Sequence, residues 1–299
     1  MKKESKSRGV IMFAHNNTEI DYFRLAVVNA LLVQKNLGIK NVTVVTDPHS
    51  LKQGEKTLGK RLIKKAINNI IVIEKDKKFK ALNQRLYKDT SHTTKYLPFY
   101  NVNRCDAYDL SPYDETLLID VDYLILSDTL NHCWEHNNEL MMNWKYQDIM
   151  YERKDPSLAR LNDMGITMYW ATVVYFRKTE YVKCFFNIVS HVKNNPQFYK
   201  DLYQWQGTLY RNDYSFSIAA HMMSGFVDKG IPQLPTTLYK SFDTDDIHSA
   251  VDENTIVMYL EKPRSPGDFM LTKWQGMDLH IMNKWAINRV SEELLEYAR

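Results

Sequence analysis

The chain has 299 residues, of which 44% are apolar and 25% are charged, a composition typical of a soluble globular protein that buries a substantial core. Its net charge of +3 neither requires nor excludes nucleic acid as a partner. The cysteines Cys105, Cys133 and Cys184 are odd in number and far apart, which argues against a disulfide framework or a zinc site and predicts free thiols in a reducing compartment.

The first half of the chain alternates between apolar runs typical of buried strands and segments with helical spacing of apolar residues. Strands are predicted at residues 9–14, 42–46, 69–73 and 116–119. Helices are predicted at residues 21–37, ending at Gly38, and at residues 92–100. This alternation predicts an α/β fold with a mostly parallel sheet.

The second half of the chain is less regular. A strand is predicted at residues 171–176, and helices are predicted at residues 180–192, 212–223 and 280–298. Residues 230–266 are rich in Pro, Asp and Thr and are predicted to be loop with short strands. Because no repeat, low-complexity tract or linker interrupts the chain, we expect one continuous domain.

The apolar run near the start of the chain is short. Residues 10–14 are too few for the core of a secretion signal or for a membrane span. We therefore expect a cytoplasmic protein with no integral membrane segment.

Two carboxylates separated by one residue end a predicted strand. Asp120, Val121 and Asp122 follow the apolar residues 116–119. In a strand both carboxylates would lie on the same face, because side chains alternate. Such a pair suits a hard divalent cation, and a cation at the end of a strand suits a diphosphate. The alternative is that one Asp caps a turn while the other points to solvent.

A second D-x-D triplet serves as an internal comparison. Asp243, Thr244 and Asp245 have no buried strand before them, and we interpret them as a solvated acidic loop. The preceding strand, and not the triplet, therefore carries the signal. The sequence contains no P-loop, G-x-G-x-x-G, H-E-x-x-H or G-x-S-x-G motif, so metal and side chains would have to neutralise phosphate charge.

In residues 106–122, a turn with aromatic residues and proline is followed by D-E-T-L and then by a strand ending in D-x-D. This segment resembles glycosyltransferases of the GT-A fold, particularly bacterial and phage-type cytoplasmic members. In that family the D-x-D motif holds Mn²⁺ or Mg²⁺ on a nucleotide-sugar diphosphate. The resemblance implies a GT-A-type, Rossmann-like sheet flanked by helices, with an elaborated C-terminal acceptor region. It implies one domain over residues 1–299, with a nucleotide-sugar-binding half (1–126) and an acceptor-binding half (127–299).

The resemblance also implies a donor site. The residues implied to contact the donor are Ala14, His15, Asn16, Asn17, Asp47, Lys95, Arg104, Asp120, Val121 and Lys284. For Asn16 and Asn17 the alternative is capping of the following helix, and for the cations Lys95 and Arg104 it is a surface charge.

A C-terminal segment completes the implied metal site. Residues 278–285 resemble the family segment that supplies a His ligand to the metal and a Lys to the diphosphate, here His280 and Lys284. The Gly and Pro of some relatives are absent. If the segment were helical, the two side chains would share one face. The implied metal ligands are thus Asp120, Asp122 and His280.

Asp213 is the implied catalytic carboxylate, at the start of a predicted helix near the acceptor. It would act as general base or stabilise positive charge at the anomeric carbon, and the alternative is a favourable charge in the first turn of the helix. Trp205 and Gln206 are candidates for the same pocket, with core packing as the alternative for Trp205.

The function expected from this resemblance is metal-dependent transfer of a hexosyl or pentosyl group from a UDP-sugar to an acceptor hydroxyl. The acceptor is open: a glycan, a protein, a small molecule or a hydroxymethylated base in phage DNA. A sugar-phosphate nucleotidyltransferase and a non-catalytic nucleotide-sugar-binding module are the alternatives. A nucleotidyltransferase usually carries a Gly-rich loop near its start, and Ala14-His15-Asn16 is not one.

Overall fold

A computed structural model describes residues 7–74, 84–151, 153, 155, 158–205 and 209–299. In chain order the strands are β1 (Arg8–Ala14), β2 (Val42–Thr46), β3 (Asn69–Val72), β4 (Gln84–Lys88), β5 (Thr94–Pro98), β6 (Glu115–Ile119), β7 (Tyr123–Leu124), β8 (Leu140–Asn143), β9 (Tyr146–Asp148), β10 (Trp170–Arg177), β11 (Leu238–Lys240), β12 (Asp246–Asp252), β13 (Thr255–Glu261), β14 (Phe269–Gln275) and β15 (Leu279–His280). The helices are α1 (Tyr22–Leu32), α2 (Pro48–Leu58), α3 (Lys60–Ala66), α4 (Ala107–Leu110), α5 (Glu180–Asn194), α6 (Pro196–Tyr203), α7 (Asn212–Met223), α8 (Lys284–Arg289) and α9 (Ser291–Ala298).

The central sheet has six strands in the order β3-β2-β1-β6-β10-β8. Strands β3, β2, β1 and β6 are parallel, and β10 runs antiparallel to both β6 and β8. The residues of β2 and β6 are buried throughout, as expected for strands covered on both faces. The predicted α/β fold with a mostly parallel sheet is confirmed.

Helices cover both faces of this sheet. Because side chains alternate along β1, Val10 and Met12 pack into the core that contains α1 and α9, whereas Ile11 and Phe13 pack into the core that contains α5 and α7. The result is a three-layer arrangement with an apolar core on each side of the sheet.

Several elements agree with the sequence-based expectation. Asp21 caps α1 by accepting a hydrogen bond from the Arg24 amide, and a π-helical turn carries the chain on to Gly38, whose φ is +69°. The predicted helix over residues 21–37, the strand at 171–176 and the helices at 180–192 and 212–223 are confirmed by the corresponding elements.

Three predictions of local structure are wrong. Residues 92–100 are not helical: β5 pairs antiparallel with β4 as a hairpin, and Pro98 cannot donate the backbone bond that a helix interior requires. Residues 280–298 are not one helix, because His280 lies in β15 and Asn283 caps the separate helix α8. Residues 230–266 contain more than short strands, since β12 and β13 have seven residues each and pair with each other.

A smaller sheet lies next to the carboxyl end of β6. Its strand order is β7-β15-β11-β9, with β15 antiparallel to β7 and parallel to β11. It joins segments that are far apart in the chain. Within the described residues, none of the helices combines the length and apolar character needed to cross a bilayer.

Candidate functional site

Three side chains that could ligate a metal converge at the carboxyl end of β6. One ligand atom each from Asp120, Asp122 and His280 lies within 4.8 Å of the others. Asp122 and His280 are buried, and Asp120 is partly exposed. The trio implied by the sequence resemblance is therefore brought together in space.

The D-x-D residues lie in a turn and not in a strand. Strand β6 ends at Ile119, the Asp120 amide donates to the Thr172 carbonyl (2.8 Å), and the Tyr123 amide donates to the Asp120 carbonyl (3.1 Å). The expectation that strand alternation would place both carboxylates on one face is thus wrong. The turn between β6 and β7 brings them together instead.

Strand pairing explains why His280 is beside Asp122. His280 of β15 lies opposite Tyr123 of β7, and the Ile281 amide donates to the Asp122 carbonyl (2.9 Å). His280 and Lys284 do not share a helix face, because His280 is in a strand and Lys284 begins α8. Lys284 still reaches the site, with its Nζ 2.5 Å from Asp122 Oδ2.

The arrangement of acceptor atoms fits a cation. Asp122 Oδ1 is buried without a hydrogen-bond partner in the described part of the chain, and it faces His280 Nε2 at 3.5 Å. His280 Nδ1 lies 3.3 Å from Thr172 Oγ1. With the ring proton on Nδ1, donated to Thr172, Nε2 presents a lone pair toward the same space as the carboxylate oxygen.

The protonation states also fit metal ligands. Burial lowers the pKa of His280, against the opposing charge of Asp122, which favours the neutral imidazole. Burial alone would raise the pKa of Asp122, but the charge of Lys284 holds it below its usual range. A neutral imidazole and an ionised carboxylate are the forms that bind a divalent ion.

Each carboxylate of the pair has its own cation. Arg104 donates a hydrogen bond to Asp120, and Lys284 pairs with Asp122. Burial lowers the pKa of Arg104 to about 10, and Asp213 and Asp122 oppose that shift. Burial also lowers the pKa of Lys284. The predicted donor-site cations Arg104 and Lys284 thus contact Asp120 and Asp122 directly.

Asp213 lies in the first turn of α7 and is almost fully buried. Its Oδ1 accepts a hydrogen bond from the Ala171 amide (2.9 Å), and its Oδ2 accepts one from Arg211 Nε (3.1 Å). Burial would raise the pKa of Asp213, but Arg211 and the Ala171 amide lower it. The charge of Asp213 acts on Arg104 and His280, so the carboxylate lies within electrostatic reach of the cluster.

The residues implied to face the nucleoside follow β1 and β2, at the edge where β6 ends in the D-x-D turn. Ala14 ends β1, and His15 Nδ1 lies 3.3 Å from Asp47 Oδ2. Asp47 also caps α2 through the amides of His49 and Ser50.

The two asparagines of this edge are engaged with the chain. Asn16 Oδ1 accepts from the Phe23 amide in the first turn of α1, as the capping alternative anticipated. Asn17 Oδ1 accepts from the Ile20 amide, and its Nδ2 donates to the Pro98 carbonyl.

Two further candidates, Lys95 and Trp205, contact other side chains of the protein. Lys95 is about half exposed and pairs with Glu19 at 2.8 Å, as its surface-charge alternative anticipated. Trp205 is buried and stacked on Tyr214, with ring centroids 5.1 Å apart. Gln206 lies outside the described residues.

The comparison triplet is not the solvated loop that was expected. Asp245 is 1% exposed, and both of its oxygens accept hydrogen bonds from Arg153, which also binds Asp148. Asp243 is the more exposed member and pairs with Lys88 (3.8 Å). Among the described residues, Asp245 of this triplet therefore belongs to a buried ion-pair network, whereas Asp243 does not.

Sequence reasoning missed three site residues. Arg85 lies in β4 beside the ring of Phe99, Arg211 binds Asp213, and Asn29 of α1 donates to the Tyr123 carbonyl behind the D-x-D turn. Arg211 is two residues before Asp213, a carboxylate that the sequence had singled out, and this proximity could have identified it. Arg85 and Asn29 belong to no motif.

No protein-family model matches this sequence. No match was found among curated proteins either. Similar solved structures include the galactosyltransferase LgtC in complex with donor and acceptor sugar analogs (12% identity, TM-score 0.47, 97% of this chain and 95% of that one). A second is mouse xyloside xylosyltransferase 1 (13% identity, TM-score 0.39, 74% of this chain and 83% of that one). A third is 4-diphosphocytidyl-2C-methyl-D-erythritol synthase from Anaerococcus prevotii (10% identity, TM-score 0.38, 78% of this chain and 87% of that one). Because these TM-scores are below 0.5, functional inference has to rest on the site.

Proposed function

We propose that this chain is a metal-dependent glycosyltransferase that moves a sugar from a nucleotide sugar, a UDP-sugar, to an acceptor hydroxyl. The observation that carries the proposal is the cluster of Asp120, Asp122 and His280, with a cation on each carboxylate. Two carboxylates and a neutral imidazole suit a divalent ion, and an ion beside Arg104 and Lys284 suits a diphosphate.

The three clustered side chains would hold Mn²⁺ or Mg²⁺, which when bound supplies Lewis-acid stabilisation of the diphosphate oxygens. Arg104 and Lys284 would contribute positive charge to the same oxygens as negative charge grows on the leaving nucleoside diphosphate. Arg104 is buried and Lys284 is partly buried at the site, where such charges act more strongly than in water.

We propose a charge-stabilising or acceptor-positioning role for Asp213 in preference to general-base catalysis. Both of its oxygens already accept hydrogen bonds and its pKa is lowered, which makes it a weak base. An ionised carboxylate near the anomeric carbon would stabilise the positive charge that develops there.

We propose that the chain forms one domain, in which residues 1–126 bind the nucleotide sugar and residues 127–299 bind the acceptor. The acceptor is a glycan, a protein, a small molecule or a hydroxymethylated DNA base. A cytoplasmic location is supported by the free thiols of Cys105, Cys133 and Cys184.

A thermal-shift screen of nucleotide sugars with and without Mn²⁺ tests the proposal, because a ligand that binds the native state raises its apparent stability. We expect a UDP-sugar to raise the melting temperature only when Mn²⁺ is present. The same pair should slowly release UDP without an added acceptor.

A matched pair of variants controls this screen. Asp122→Asn should abolish the metal-dependent shift, whereas Asp243→Asn, in the second D-x-D triplet, should leave it intact. Pyrophosphate release from a nucleoside triphosphate and a sugar phosphate would indicate a nucleotidyltransferase instead. Binding without any UDP release would indicate a non-catalytic module.

A further inference from the structure

Arg85 is a cation near the cluster that has no carboxylate partner among the described residues. It lies in the β4–β5 hairpin opposite Leu97, and its guanidinium carbon is 3.5 Å from the centroid of the Phe99 ring. Its Nε is buried and unpartnered within the same described part of the chain. By contrast, Arg104, Lys284 and Arg211 each bind a carboxylate of the site.

The β4–β5 hairpin that carries Arg85 packs against α1 and against the start of α8. Tyr87 is two residues further along β4, so it shares a face of the strand with Arg85. The Tyr87 hydroxyl lies 2.8 Å from that of Tyr22 in α1, and its ring meets Trp285, the neighbour of Lys284, at 5.9 Å. On the other side, Phe99 packs edge-on against Tyr22 at 6.5 Å.

Electrostatic coupling agrees with this position. Burial raises the pKa of Asp213, and the charge of Arg85 lowers it after the larger effects of Arg211 and the Ala171 amide. The charge of Arg85 is therefore felt at Asp213. The contact with Phe99 holds the guanidinium over the ring, and its N–H groups can still bind an anion.

We infer that Arg85 binds a phosphate oxygen of the donor's nucleoside diphosphate, as a third basic residue beside Arg104 and Lys284. The inference rests on the proposed function and names which part of the donor this hairpin recognises. A guanidinium held over an aromatic ring can present its N–H edge to two oxygens of a phosphate. Its buried Nε has no hydrogen-bond partner among the described residues, and a phosphate oxygen would supply one.

The test compares a nucleoside diphosphate with its nucleoside. Binding of UDP and of uridine is measured by calorimetry in Mn²⁺ for the wild type, Arg85→Gln and Arg85→Lys, with GDP and guanosine and with ADP and adenosine in parallel. Arg85→Gln should weaken diphosphate binding by roughly 10- to 100-fold, as expected for a charged hydrogen bond, and leave nucleoside binding unchanged. Arg85→Lys should bind the diphosphate with an affinity between those of the wild type and Arg85→Gln, because lysine keeps the charge but lacks the planar fork of donors. Arg61→Gln, an exposed arginine of α3, is the matched control and should change neither.

Other outcomes overturn the inference in distinguishable ways. If the wild type binds a nucleoside diphosphate and Arg85→Gln binds it equally well, the inference fails while the proposed function stands. If Arg85→Gln loses diphosphate and nucleoside binding by the same factor, Arg85 acts only by holding the hairpin, and phosphate recognition is refuted. A wild type that binds none of the three diphosphates contradicts both the inference and the proposed function.

Discussion

Asp278 is a buried carboxyl group whose ionisation should make stability depend on pH. Its Oδ1 accepts hydrogen bonds from the Leu126 amide (2.8 Å), the Ser127 amide (2.9 Å) and the Ser127 hydroxyl (2.9 Å), while its buried Oδ2 has no partner among the described residues. Burial raises the pKa of Asp278 from 3.8 to about 7, although these hydrogen bonds lower it. The folded protein therefore holds a proton that the unfolded chain has already lost.

The sign and size of the effect follow from this difference. Between about pH 4 and pH 7 the folded state binds more protons at Asp278, so the free energy of unfolding falls as the pH rises through this window. A difference of about three pKa units between the folded and unfolded states corresponds to roughly 4 kcal/mol in the free energy of unfolding. This contribution is fully present below about pH 4 and is lost above about pH 7. Asp278→Asn cannot ionise, and its amide oxygen can accept the same three hydrogen bonds.

We expect the unfolding free energy of Asp278→Asn, relative to wild type, to shift in favour of the variant by about 4 kcal/mol between about pH 4 and pH 8. Urea denaturation of both proteins across this range measures the difference, in which all other titrating groups cancel. Asp228→Asn is the control. Burial opposes ionisation of Asp228, but hydrogen bonds from Thr167 lower its pKa below 3.8, so wild type gains on that variant with rising pH only below about pH 4, and the difference should stay nearly constant from about pH 4 to pH 8. A difference for Asp278→Asn that stays constant over the range would refute the reasoning.

Three further predictions concern the fold and the site. Arg153→Met leaves the buried carboxylates of Asp148 and Asp245 without their cation and should cost about 3–5 kcal/mol in chemical denaturation. Asn29→Ala removes the hydrogen bonds between α1 and the segment after the D-x-D turn, and should cost about 1–3 kcal/mol and weaken Mn²⁺ binding in a metal titration. Lys95→Ala breaks only an exposed ion pair and should change stability by less than about 1 kcal/mol, with unchanged UDP affinity by calorimetry.

Strands β1, β2 and β6 of the central sheet could be predicted from the sequence because they are buried on both faces. Residues of β1, β2 and β6 therefore form continuous apolar runs, and the carboxylates Asp120 and Asp122 stand out at the end of one of them. The second triplet follows β11, whose three residues are not a continuous apolar run, and its Asp245 belongs to a buried ion pair. That the first triplet and not the second holds a metal stays a prediction.

The rest of the site depends on contacts between distant segments. Strands β7 and β15 have two residues each, too few for a periodic pattern, yet their pairing brings His280 to Asp122. Local spacing therefore suggested a helix for residues 280–298 and missed the strand. Arg85 lies in the β4–β5 hairpin, whose second strand was predicted to be helical. Its proposed role depends on packing against Phe99. Nothing in its neighbouring residues marks such a contact.

Direct measurement of Mn²⁺ binding tests the central claim most sharply. Electron paramagnetic resonance of free Mn²⁺, titrated with protein and UDP, should show one bound ion per chain for wild type and for Asp243→Asn. Asp122→Asn should lower the Mn²⁺ affinity by more than the roughly 10- to 100-fold typical of losing an outer-shell partner. Equal Mn²⁺ binding by wild type and Asp122→Asn would contradict the assignment of Asp120, Asp122 and His280 as the metal site.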